Sequence, residues 1–150
     1  MKTIKHQIEI ECSQEKLFDI TQDYTNRLAW DPYLTEAYLL DGAECADLGV
    51  YSYCKNRFGS VMVSCYISFS KPHVAAVTMV RGPLILKRFS GAWNVKRLSE
   101  TRSLLVFTYS FDLKGGFIGR LFLPVAVYVF SKDMKNRLLA IKRYLEPVTV

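Results

Sequence analysis

Residues 102–146 read RSLLVFTYSFDLKGGFIGRLFLPVAVYVFSKDMKNRLLAIKRYLE, and the spacing of their apolar side chains changes once. Before Gly115-Gly116 the spacing is two. Leu105, Phe107, Tyr109 and Phe111 fall on one side of an extended chain, because successive side chains of a strand point to opposite faces. After the glycines the spacing is three and four. Val127, Phe130, Met134, Leu138, Ile141 and Leu145 share one stripe, with Lys132, Asp133, Lys135, Asn136, Lys142 and Arg143 opposite. The stretch predicts a last strand that ends at the glycine pair and a long amphipathic C-terminal helix. Pro124 lies inside the helical pattern. It either kinks the helix or marks its first turn, with Phe117 to Leu123 as a lead-in.

Upstream of Arg102 the period stays at two. Leu34 to Leu40, Gly49 to Phe58, Val61 to Phe69, His73 to Arg81 and Lys87 to Leu98 read as strands, separated by Asp41-Gly42, Gly59-Ser60, Lys71-Pro72 and Gly82-Pro83. In the third of these, Val61, Val63, Cys65, Ile67 and Phe69 share a face, and Met62, Ser64, Tyr66 and Ser68 the other. Thr3 to Glu11 alternates as well. Ser13 then offers an N-cap hydroxyl and Glu15 an anion in the first turn of a short helix with Leu17, Phe18 and Ile20 inward. A second short helix is expected from Asp23 through Ala29, ending before Trp30-Asp31-Pro32 because proline disfavours helix at the residue before it. The order is β-α-α-β6-α. It predicts an α+β fold in which a curved antiparallel sheet of about seven strands wraps on the long C-terminal helix, as one domain over residues 1–150.

Composition narrows the chemistry. Half of the 150 residues are hydrophobic, which supports a real core. His6 and His73 are the only imidazoles, and Cys12, Cys45, Cys54 and Cys65 form no C-x-x-C, so neither a zinc site nor another metal or cofactor site is expected. Neither histidine lies in a nucleophile motif, and the acidic residues cluster on helices and turns, so hydrolysis and paired-carboxylate chemistry are poorly supported. Gly115-Gly116-Phe117-Ile118-Gly119-Arg120 lacks the lysine and hydroxyl of a phosphate loop. The free thiols and the absence of a signal-peptide pattern predict a cytoplasmic location. Leu121 to Phe130, the longest apolar run, is too short to span a bilayer.

The net charge of +6 is uneven: residues 1–50 hold 4 basic and 10 acidic side chains, and residues 51–150 hold 16 and 4. No DNA-binding signature accompanies this, so no DNA partner is expected. Leu121 to Phe130 is apolar on every helical face, and the surplus at Val125, Tyr128 and Val129 suggests a homodimer contact, a ligand portal or, with Arg120 and Lys132, an anionic membrane surface.

Several motifs point one way together. They are Ile10-Glu11-Cys12-Ser13 before Glu15 to Ile20, Asp23-Tyr24 through Trp30-Asp31-Pro32, Gly91-Ala92-Trp93-Asn94-Val95, the strand Leu105 to Phe111, and Asn136 to Glu146. With their order they resemble the START-like (SRPBCC, helix-grip) superfamily, and within it the branch of polyketide cyclase/dehydrase and lipid-transport proteins. The resemblance spans nearly the whole chain and implies binding of a hydrophobic or amphipathic small molecule (lipid, quinone or polyketide-like) between sheet and helix, as carrier or sensor. Members of the superfamily also include cyclase or dehydratase enzymes and modules that bind macromolecules such as ribosomes, and no branch-specific catalytic residues transfer onto this chain.

The residues expected at such a pocket are Trp93, Phe107, Tyr109, Phe111, Tyr53, Val63, Cys65, Val77 and Met79 from the sheet, and Phe122, Phe130 and Met134 from the helix. A few tyrosine hydroxyls, with Arg57 or Asn94, are the expected polar groups to orient a ligand. Asp112, next to Phe111 in the alternation, is expected outside.

Overall fold

The structure is a computed structural model and describes residues 1–146. Its elements are β1 (Lys2–Ile10), α1 (Gln14–Gln22), a 3₁₀ turn (Arg27–Ala29), β2 (Leu34–Leu39), β3 (Tyr51–Asn56), β4 (Val61–Ser70), β5 (Val74–Arg81), β6 (Leu86–Arg97), β7 (Ser103–Leu113) and α2 (Phe117–Leu145). The strands form one seven-stranded antiparallel sheet in the order β1-β7-β6-β5-β4-β3-β2. This is the expected helix-grip arrangement. β1 returns to the edge beside β7, and Met134, Leu138 and Ile141 of α2 are buried in the core with strand residues Leu105, Phe107 and Phe111.

Local chemistry accounts for where the elements begin. Ser13 caps α1 by accepting the Lys16 amide at 3.3 Å. The second helix expected over Asp23 to Ala29 is only the 3₁₀ turn. Its first residues are taken up by the Asp23 carboxylate, which accepts the amides of Thr25 at 3.1 Å and Asn26 at 3.3 Å. Such a local side-chain bond competes with helix formation. α2 runs unbroken through Pro124, whose ring has no N–H for the Arg120 carbonyl; near the end of a long helix that one lost bond is tolerated.

The alternation expected in β4 fails at one place. The register against β5 shifts between Tyr66 and Ser68, so Ile67 is an extra residue, a bulge. As a result Tyr66 and Phe69 both point inward, edge to face at 5.7 Å, while Ile67 is exposed. Asp112 is on the outer side as expected, held by Arg88 at 2.9 Å.

Candidate functional site: a cavity under the long helix

Between the sheet and α2 lies a cavity of about 130 Å³. Its apolar walls are Met62 of β4, Ala75 and Val77 of β5, Phe89, Gly91 and Trp93 of β6, Phe107 of β7 and Phe130 of α2. Trp93 lies flat on Phe107 at 3.7 Å, and Tyr109 meets both Phe89 (4.7 Å) and Phe107 (4.8 Å) edge to face. The rings therefore form one rigid surface whose shape each neighbour fixes.

Five of the residues expected at the pocket line this cavity: Trp93, Phe107, Tyr109, Val77 and Phe130. The others lie elsewhere. Phe111 and Met134 are fully buried in the core beside it, and Met79 packs at the edge of the core. Tyr53, Val63 and Cys65 alternate with the wall residues Ser52, Cys54, Met62, Ser64 and Tyr66, so they belong to the opposite face of the sheet. Tyr53 stacks there on Tyr38 at 4.6 Å. Apolarity selected the wrong face on β3 and β4, because both strands turn small polar residues toward the cavity. Phe122 is exposed. Asn94 alternates with Trp93 and is not on the wall. Arg57, from the β3–β4 turn, reaches Asp133 of α2 at 3.4 Å rather than the cavity.

The charged part of the cavity comes from residues that sequence reasoning passed over. Arg27 and Arg137 both line it, both are buried, and both bind Asp31 beneath the wall. Asp31 Oδ2 accepts from Arg27 Nε at 2.9 Å and from Arg137 Nε and Nη2 at 3.2 and 2.9 Å, while Oδ1 accepts the Tyr33 amide at 3.0 Å. Arg27 Nη1 donates to the Thr21 carbonyl at 2.9 Å, and Arg137 Nη1 to the Tyr109 hydroxyl at 2.5 Å. The guanidiniums also lie over aromatic rings, Arg27 over Trp30 at 4.9 Å and Arg137 over Phe107 and Tyr33, each at 5.1 Å. One signal was legible: Arg137 interrupts the buried stripe of α2, three residues after Met134 and four before Ile141.

Burial alone would raise the Asp31 carboxyl, but the Arg137 and Arg27 guanidiniums outweigh it and hold it at about 2, below its ordinary 3.8. Burial disfavours the charge on both arginines, and Asp31 overrides it, so both stay cationic. Two cations against one anion leave this cluster with a formal surplus of one positive charge beside the cavity.

The folded-state value of Asp31 lies below its unfolded one, so the stabilisation is complete above pH 3.8 and disappears as pH falls through about 2. Acid unfolding is expected to show a loss of about 2 kcal/mol across that window, absent from Asp31→Asn. Denaturant titrations at stepped pH check it, and equal acid sensitivity in the two proteins would contradict it.

A hydroxyl relay forms the rest of the polar lining. Tyr24 and Tyr66 share a bond of 2.8 Å between their oxygens, Tyr66 donates to Gln22 Oε1 at 2.6 Å, and Asn56 Nδ2 donates to the Tyr33 hydroxyl at 3.0 Å. Burial pushes the phenols of Tyr66 and Tyr24 upward and that of Tyr109 to about 12, so at neutral pH they are hydroxyls. Burial likewise raises the Cys54 thiol on the wall. His6 and His73 are outside the cavity, bonded to Ser131 Oγ (2.5 Å) and to Gln14 Nε2 (3.1 Å). Among the described residues no group of three or more His, Cys, Asp or Glu side chains could hold a metal ion.

The sequence pattern of the family described as polyketide cyclase / dehydrase and lipid transport matches residues 1–146. The chain belongs to that family. Among curated proteins no sequence matches it. Solved structures similar to this polyketide cyclase/dehydrase family member show the same fold at low identity. A START superfamily protein from Mycobacterium smegmatis has a TM-score of 0.79 at 12% identity, covering 98% of this chain and 99% of that one. The Zhui aromatase/cyclase from a Streptomyces species has 0.76 at 16%, covering 99% of each chain. Norcoclaurine synthase from Thalictrum flavum, solved with dopamine and hydroxybenzaldehyde, has 0.69 at 14%, covering 99% of this chain and 89% of that one. In this family member the cavity can enclose an apolar body and present hydroxyl and guanidinium donors to an acceptor.

Proposed function

We propose that the protein binds a hydrophobic or amphipathic small molecule in the cavity beneath α2, as a carrier or sensor. The observation that carries this reading is the make-up of the walls: aromatic and aliphatic side chains of the sheet and Phe130 of α2, together with the buried Arg27, Arg137 and tyrosine hydroxyls. Leaving water drives the apolar part in at about 25 cal/mol per Å², and the donors fix its orientation. The volume sets the size of that part. A cavity of about 130 Å³ is close to the roughly 150 Å³ apolar cavity known to hold benzene. The enclosed portion is therefore about one ring or a short chain, and a longer ligand must extend past the rim or displace α2.

An enzymatic reading, a cyclase- or dehydratase-like activity, is favoured by the same converging donors, which would stabilise an enolate or phenolate oxygen. The described wall residues include no carboxylate or imidazole, so a proton acceptor would have to come from the substrate or from water. Binding without turnover needs only the enclosure and the donors on the walls.

The test is native mass spectrometry of freshly purified protein, extraction of any bound molecule, and titration with naphthol as an aromatic probe. A bound ring-bearing or short-chain amphipath, or probe binding displaced by one, is the expected result. Empty protein that binds neither naphthol nor a medium-chain fatty acid would sink the carrier reading.

A further inference from the structure

We propose that the first turns of α2 and the β5–β6 loop form a docking surface for an anionic lipid bilayer. A helix lying on a sheet needs one apolar face, and on α2 the side chains Leu123, Ala126, Val127 and Phe130 already supply it. Phe117, Ile118 and Leu121 are apolar as well, yet they face solvent, with Phe117 75% exposed. The β5–β6 loop adds Leu84, 86% exposed, and Ile85. The Lys114 amide donates to the Ile85 carbonyl at 2.8 Å, and Leu86 pairs with Leu113, which sets the loop beside the start of the helix. Single exposed leucines are ordinary, but five large apolar side chains at one end of the molecule form a patch.

Charge decides the occupant. Lys2, Lys87 and Arg120 line one groove at the base of the helix, where Asp112 is the single carboxylate and is already held by Arg88. From residue 51 to residue 132 the chain has only Glu100 and Asp112 as acids, and Glu100 lies in the β6–β7 turn at the other end of the strands. A second copy docking symmetrically would set two basic rims face to face. Anionic headgroups match the rim, and the acyl boundary accepts Leu84 and Phe117. Among the described residues no helix is long and apolar enough to cross a membrane, so the helix would lie in the interface.

Co-sedimentation with phosphatidylcholine vesicles, with and without about a third phosphatidylserine, tests the surface. Wild type is expected to bind the anionic vesicles at low salt, less at physiological salt, and the neutral vesicles weakly. Leu84→Ser with Phe117→Ser is expected to weaken binding about tenfold, and Lys87→Gln with Arg120→Gln about fivefold per charge with a flatter salt dependence. All four side chains lie outside the core, so both variants should keep the wild-type circular dichroism and naphthol binding, which separates this surface from the cavity. No binding to anionic vesicles at low salt, or unchanged binding by the serine variant, would overturn the proposal. So would a solution dimer that Phe117→Ser dissociates.

Discussion

Replacing Asp31 by asparagine is expected to destabilise the fold by about 3–5 kcal/mol, because it leaves two buried guanidiniums facing each other without an anion. For a domain of this size that is a large share of a total of about 5–15 kcal/mol, and it corresponds to a fall of about 6–20 °C in Tm. Chemical denaturation of wild type and variant measures it. The triple variant Asp31→Leu, Arg27→Met, Arg137→Met separates charge from packing. Buried ion clusters are often replaced by apolar residues at little cost, so the triple variant should recover most of the lost stability. It should nevertheless lose the orientation of any ligand that carries an acceptor, because the guanidinium donors are gone. A mild effect of Asp31→Asn, below about 1 kcal/mol, would show that the cluster does not tie α2 to the Arg27–Tyr33 segment. A triple variant that binds acceptor-bearing ligands as well as wild type would remove the arginines from the site.

The second large effect is on binding. Ala75 is buried on β5 and lines the cavity, paired across the sheet with Trp93 and Phe69. Ala75→Leu puts a branched side chain into a cavity of about 130 Å³ and is expected to weaken naphthol binding at least tenfold. Stability should move the other way. Filling part of an apolar hollow commonly returns about 1 kcal/mol. Weaker binding in a more stable protein distinguishes occupation of the site from damage to the fold. Unchanged naphthol affinity in Ala75→Leu would place the ligand elsewhere, and the open groove beside α1 and the β2–β3 connection would be the next place to look.

Both variants act on residues of which the sequence says different things. The change of period at Gly115-Gly116 and the alternation of Leu105 to Phe111 are local properties. Each needs only the geometry of a strand or a helix, and together they were enough to expect a sheet gripped on a long helix. The aromatic part of the site, Trp93, Phe107 and Tyr109, was legible for the same reason: large rings on the inward side of central strands have nowhere else to go.

The polar part was not legible in this way. Asp31 and Arg137 are 106 residues apart, and nothing local tells an arginine on an apolar stripe whether it will reach solvent or a carboxylate. On β3 and β4 the preference for apolar residues inside pointed to Tyr53, Val63 and Cys65, whereas the fold turns Ser52, Ser64 and Tyr66 inward around the cavity. The bulge at Ile67 then carries Phe69 to the same side as Tyr66. Periodicity by itself determined which elements form and in what order, because backbone geometry imposes it residue by residue. Only the tertiary structure decided which face of β3 and β4 looks inward and which charges meet there, because those depend on closing the sheet over the helix, a contact between segments that no local pattern encodes.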